Sequence, residues 1–155
     1  MENIKKILVV IRLTQNSRDA LSHGVALAKQ FGAELSVIRV YSNPVDMEAV
    51  NAPGLFIKGE QYKNYLSIRE QYKEYLDKAI HEVTKDGFPL KEFITDKDAI
   101  TEIASVVEKE KIDLIVTLAH EEGRLEHLLF GGENVALIRK LPCSILLVKQ
   151  EPGPA

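Results

Sequence analysis

Short apolar runs punctuate the chain, and segments with helical periodicity fill the gaps between them. Four runs stand out: Ile7–Ile11, Leu35–Tyr41, Leu114–Leu118 and Ser144–Val148. The first, third and fourth are nearly continuous rather than alternating. Strands read that way when both faces are covered, as in a parallel sheet. A weaker fifth run, Leu90–Thr95, alternates and is expected nearer an edge.

The intervening segments carry helix signals. Ser17 stands where an N-cap is expected, with Asp19 in the first turn to suit the helix dipole. Ala20, Leu21, Gly24, Ala28 and Phe31 form one apolar stripe at helical spacing, and Gly32 reads as the residue that ends the helix. A second helix is expected from about Asp98, where Ile100, Ile103, Ala104 and Val107 share a face before the pattern fades over Glu108–Lys111. The longest helix is expected over Glu60–Lys85, with Tyr62, Tyr65, Leu66, Tyr72, Leu76, Ala79, Ile80 and Val83 along one side. Its tyrosines suit packing onto a sheet with their hydroxyls at the surface better than a ligand stripe. A short last helix is expected over Glu133–Lys140, before Pro142.

Strands alternating with helices imply right-handed crossovers, and so a single α/β domain with a doubly wound, mostly parallel five-stranded sheet and helices on both faces. The domain is expected over residues 1–150, with 151–155 a flexible tail. Residues 43–59, which include Pro44, Pro53 and Gly54, read as an irregular connection.

Composition narrows the function. The chain has 155 residues and a formal net charge of −3, with charges of both signs interspersed. A nucleic-acid binder would show a clustered basic excess, so none is expected. No apolar run approaches the length of a membrane helix, and the N-terminus lacks signal-peptide anatomy; a soluble, cytoplasmic protein is expected. The single cysteine, Cys143, cannot form an internal disulfide and reads as a small buried hydrophobe.

Ligands of doubly wound sheets bind beyond the carboxyl ends of the strands, where the strand order reverses. The candidate segments are therefore the turn from Arg12 to Ser17, the turn after Val40, and the long connection from Ala119 to Glu133. Taken with the first strand and its Ser-capped helix, the sequence from Asp113–Val116 through His120, Gly123 and Leu128–Gly131 to Leu141–Val148 resembles the universal stress proteins. The resemblance implies an adenine-nucleotide α-hydrolase-like fold with strand order 3-2-1-4-5. It also implies dimerisation through the last strand, and membership of either a branch that binds ATP or one that does not.

The ATP-binding branch carries Gly, any two residues, Gly, any nine, Gly, then Ser or Thr. Such glycines let backbone N–H groups approach phosphates ahead of a helix N-terminus. Counted back from Gly131, the first two glycine positions fall on Leu118 and Glu121, and Gly132 takes the Ser/Thr position. Glu121, Glu122 and Glu133 would oppose a triphosphate, and Arg124 offsets only part of that. The family's Pro-x-Asp at the end of the first strand reads Val10-Ile11-Arg12 here. A guanidinium has no acceptor for a ribose or adenine donor; Arg12 is left to bind an anion or, more simply, to pair with Glu121 or Glu122. Gly131, Gly132, Glu133 and Asn134 form either a small anion nest or a tight turn into a helix, the turn being the simpler reading.

The cofactor-binding residues expected of this degenerate nucleotide site are Arg12, Val40, Arg124, Gly131, Gly132 and Asn134. No metal is expected, since His120 and His127 do not match His-Glu-x-x-His spacing, and His23 and His81 read as surface residues. No nucleophile elbow, P-loop or Cys-x-x-Cys is present, so no catalytic residue is expected. These features together suggest a non-catalytic stress-response or signalling module, acting as a homodimer through the C-terminal edge strand or through a protein partner, with weak or no adenine-nucleotide binding. The alternative is a nucleotide- or phosphate-binding module with an altered site.

Overall fold

The computed structural model describes residues 3–12, 17–40, 60–95, 97–119 and 141–149. Five strands, β1 (Lys6–Arg12), β2 (Glu34–Val40), β3 (Leu90–Thr95), β4 (Leu114–Ala119) and β5 (Ser144–Lys149), form one sheet in the order β3-β2-β1-β4-β5. Every pairing is parallel. The helices are α1 (Ser17–Phe31), α2 (Glu60–Thr84) and α3 (Ala99–Glu110). Fold class, strand order and the edge position of β3 agree with the sequence reading.

The continuous apolarity of β1 follows from its central place. Ile7, Val9 and Ile11 face a core completed by Ala20, Leu21 and Ala28 of α1 and by Leu76, Ala79 and Ile80 of α2. Leu8 and Val10 face the opposite core, built with Ile103, Val106 and Val107 of α3. Alternate residues of Ile7–Ile11 thus fill two layers, and none of these five positions is left for a polar side chain.

Capping sets the helix limits. Asp98 is the N-cap of α3: its Oδ2 accepts from the Thr101 amide at 3.0 Å and from the Thr101 hydroxyl at 2.7 Å. α3 ends at Lys111, which takes the left-handed conformation at φ 58° that glycine usually supplies, while the Ile112 amide donates to the Val107 carbonyl at 3.1 Å. α1 ends the same way at Gly32, φ 64°, with the Ala33 amide donating to the Ala28 carbonyl at 2.8 Å. α1 begins at Ser17.

Three expectations are corrected. Phe31 leaves the apolar stripe and is 48% exposed. The chain reverses at Gly32, so Ala33 packs against the core in its stead. The fourth run is continuous without being covered on both faces: Leu146 and Leu147 of β5 are 39% and 37% exposed, because β5 is an outer strand with one neighbour. Cys143 is half-buried rather than fully buried, packed against the α3-side core. The last helix over 133–140, the connection 43–59 and the tail 151–155 lie outside the described residues, as do the side chains of Tyr62, Tyr65, Leu66 and Tyr72. Among the described residues, no helix is long and apolar enough to cross a membrane.

Candidate functional site

Strand order places the candidate cleft. From β1 the chain runs outward through β2 and β3, then returns to β4 and β5 on the other side of β1. The order therefore reverses between β1 and β4, and the cleft lies beyond their carboxyl ends. Arg12 ends β1 and Val40 ends β2, paired in register. The structure so brings these two expected site residues side by side at the carboxyl rim. The side chain of Arg12 lies outside what is described. That of Val40 is committed to packing, at 1% exposure in the α3-side core, so only its backbone is available at the rim. Arg124, Gly131, Gly132 and Asn134, with His120 and His127, fall outside the described residues.

The material beneath the rim is closed. Val10, Ile103, Ile115 and Thr117 surround a void of about 10 Å³, room for no more than a water molecule. Thr117 is the buried polar residue there, at 2% exposure. The N-terminus of α3 opens on this same side of the sheet, but the Asp98 carboxylate already caps it, accepting from the Thr101 amide. A phosphate would meet that carboxylate first, so α3 supplies no anion seat.

Next to Val40 stands a group that the sequence reading missed. Arg39 is 5% exposed on the α1–α2 side of β2. Its Nη1 donates to Asp77 Oδ1 of α2 at 2.5 Å, and its Nη2 donates to Glu92 Oε1 of β3 at 2.9 Å. Burial alone would lower the Arg39 pKa; the hydrogen bonds to Asp77 and Glu92 outweigh it, and the pKa is raised. Its Nε is buried and has no partner among the described residues. With both terminal nitrogens held by carboxylates, this guanidinium ties α2 and β3 to β2 instead of reaching a ligand. A signal was present: residues 35, 37 and 39 share a strand face, and a charge at that inward position requires a counter-charge.

Among the described residues, no group of three His, Cys, Asp or Glu side chains converges. His23 and His81 are exposed, as expected; His23 Nδ1 lies 2.8 Å from the Asp19 carbonyl. Burial pushes the Cys143 thiol up to about 11, helped by the nearby Asp113 charge, which makes it a poor nucleophile.

A model of the universal stress protein family matches residues 3–149. Universal stress protein E of Salmonella typhi is 26% identical over 99% of this chain and 48% of its own length. Universal stress protein MJ0531 of Methanocaldococcus jannaschii is 28% identical over 96% of this chain and 85% of its own. The chain thus spans about half the length of the universal stress protein E relatives. Among solved structures, universal stress protein UspA from Lactobacillus plantarum is similar with a TM-score of 0.59 at 16% identity, covering 96% of this chain and 99% of its own. A universal stress protein in complex with cAMP has a TM-score of 0.53 at 15% identity, covering 95% and 98%. One from Archaeoglobus fulgidus in complex with dAMP has a TM-score of 0.52 at 16% identity, covering 96% and 100%. At these identities the structures support the fold.

Proposed function

The chain belongs to the universal stress protein family, and we propose that it acts in the stress response as a non-catalytic cytoplasmic module, a homodimer with weak or no ATP binding. Leu118 carries this reading. It occupies the first glycine position of the phosphate-cradling pattern, and it is a residue of β4 in register with Val148 of β5. The pattern needs glycine there so that the backbone can approach a phosphate, and this chain has leucine. Glu121, at the second glycine position, adds like charge. The homodimer reading rests on β5, whose far edge has no partner strand among the described residues and whose Leu146 and Leu147 are exposed. A twin β5 running antiparallel across a two-fold axis would satisfy both the edge and the leucines.

Mass spectrometry of small molecules released from the purified protein, paired with calorimetric titration of Mg-ATP, tests the reading. No released nucleotide and no ATP heat are expected. Co-purified ATP or ADP, or tight ATP binding, refutes it. Light scattering is expected to give a dimer, and a monomer at every concentration refutes the β5 pairing.

A second reading, a nucleoside monophosphate or phosphate site, draws support from the similar folds solved with cAMP and dAMP. There Arg12 and Arg124 would hold a single phosphate, with Gly131, Gly132 and Asn134 lining it. Thermal shifts on adding AMP, cAMP or phosphate, lost in Arg12→Ala, are the expected outcome. The absence of any shift removes this reading.

A further inference from the structure

One flank of α1 leaves apolar surface open. The flank toward α2 is committed: Arg18 Nη2 lies 2.7 Å from Glu82 Oε2, and Lys29 Nζ lies 5.6 Å from the centre of the Phe88 ring, just beyond α2. Ala20, Leu21 and Ala28 face the core. Leu27 and Phe31, one turn apart, are left on the other flank. α1 packs over β1 and β4, so that flank looks across β4 toward β5. Leu146 of β5 lies on the same side of the sheet, because its register partner Val116 belongs to the α1–α2-side core. Half-buried Leu27 with exposed Phe31 and Leu146 therefore forms an apolar shelf along β5.

A twin strand decides what can reach this shelf. Phe31 ends α1 just before the chain enters β2, where the Glu34 amide donates to the Lys5 carbonyl, so Phe31 stands at the amino ends of the strands. In an antiparallel β5 pair with Leu146 or Leu147 on the two-fold axis, Ser144 of one copy lies opposite position 148 or 150 of the other. The carboxyl end of the second copy's β5 thus emerges beside the first copy's Phe31. The sequence continues from there as Gln150, Glu151, Pro152, Gly153, Pro154 and Ala155. Extended, these residues reach about 20 Å, ample for the one or two strand spacings of roughly 4.8 Å that separate them from the shelf. A chain's own residues 150–155 start at the wrong end: they would have to double back along the whole of β5, roughly 16 Å, before turning toward α1.

We propose that residues 150–155 of each copy dock on the α1 flank of the other, with Pro152 and Pro154 against Phe31 and Leu27. The inference rests on the β5-paired homodimer reading. Proline suits the role on three counts: its ring is apolar, it has no N–H to leave unpaired, and it holds the backbone extended. Extended proline-bearing segments accordingly dock on aromatic surfaces at a low entropic cost. The two-fold axis repeats the contact, so each dimer gains two, and both add apolar burial to the strand pairing.

Sedimentation equilibrium of the full chain and three variants tests the docking: a chain ending at Lys149, Phe31→Ser, and the two changes combined. Phe31 is exposed, so its replacement leaves the core intact, which circular dichroism checks. Each single change is expected to weaken dimerisation about tenfold, since each removes both symmetric contacts. The combined variant should be no weaker than either alone, because the two changes remove the same contact. A dimer left at full strength by either single change, or losses that multiply in the combined variant, overturns the docking and leaves the β5 pairing standing. A full chain that stays monomeric at every concentration removes both.

Discussion

Gly24 seats α1 closely against β1, and replacing it tests how rigidly the helix is held. A Cβ at Gly24 would stand 2.2 Å from Val9 Cγ2 and 3.5 Å from Leu35 Cδ1. Real carbon contacts do not come so close, so something must move by about an ångström. Val9 cannot yield easily: it is fully buried, its strand is paired on both sides, and its branched side chain has few rotamers. Overpacking of this kind costs about 1–3 kcal/mol, and the severity of the contact points to the upper end. Alanine returns about 1 kcal/mol through its helix propensity. Gly24→Ala should therefore lose about 2 kcal/mol, or about 4–8 °C in Tm for a chain of this size. Urea and thermal unfolding followed by circular dichroism measure it. Val9→Ala alone should cost about 2–3 kcal/mol through the cavity it leaves. In the double variant the new methyl occupies that cavity, so the two losses should fall short of additive by at least 1 kcal/mol, roughly the coupling expected of touching residues. A Gly24→Ala protein as stable as the parent, or strictly additive losses, would refute the close seating of α1.

Three further outcomes follow from the same structure. Arg39→Ala should destabilise by about 3 kcal/mol, since it strands two carboxylates that are partly able to rehydrate; Arg39→Met, which keeps the apolar stem, should cost less in the same urea assay. Lys111→Gly should stabilise by about 1 kcal/mol by relieving the left-handed residue at φ 58°, and an unchanged urea midpoint would contradict that geometry. Cys143, raised from 9.0 to about 11, should react with iodoacetamide at pH 8 roughly a hundredfold more slowly than a free thiol. Because the folded thiol keeps a proton that the unfolded chain releases near 9.0, Cys143 favours the fold at neutral pH; that contribution should fade as pH rises from 9.0 to about 11 and be absent in Cys143→Ala.

Much of the fold is legible along the chain, because the features that encode it are local. The unbroken apolarity of Ile7–Ile11 identifies a strand covered on both faces, Asp98 signals the start of α3, and Gly32 signals the end of α1. Each depends on a period or a cap spanning a few residues, so neighbouring residues suffice. The cleft is legible only through topology and resemblance: Arg12 and Val40 are far apart in sequence and become neighbours through the parallel pairing of β1 with β2. Other features were decided by tertiary structure alone. The two carboxylates that hold Arg39 come from α2 and β3, and no local pattern selects Asp77 and Glu92 from the other acidic residues. Phe31 fits the helical stripe, yet the reversal at Gly32 carries Ala33 into the core and leaves Phe31 outside. Periodicity records which way a residue faces; what it faces is set by long-range packing, where buried charge must find its partner and buried surface its complement.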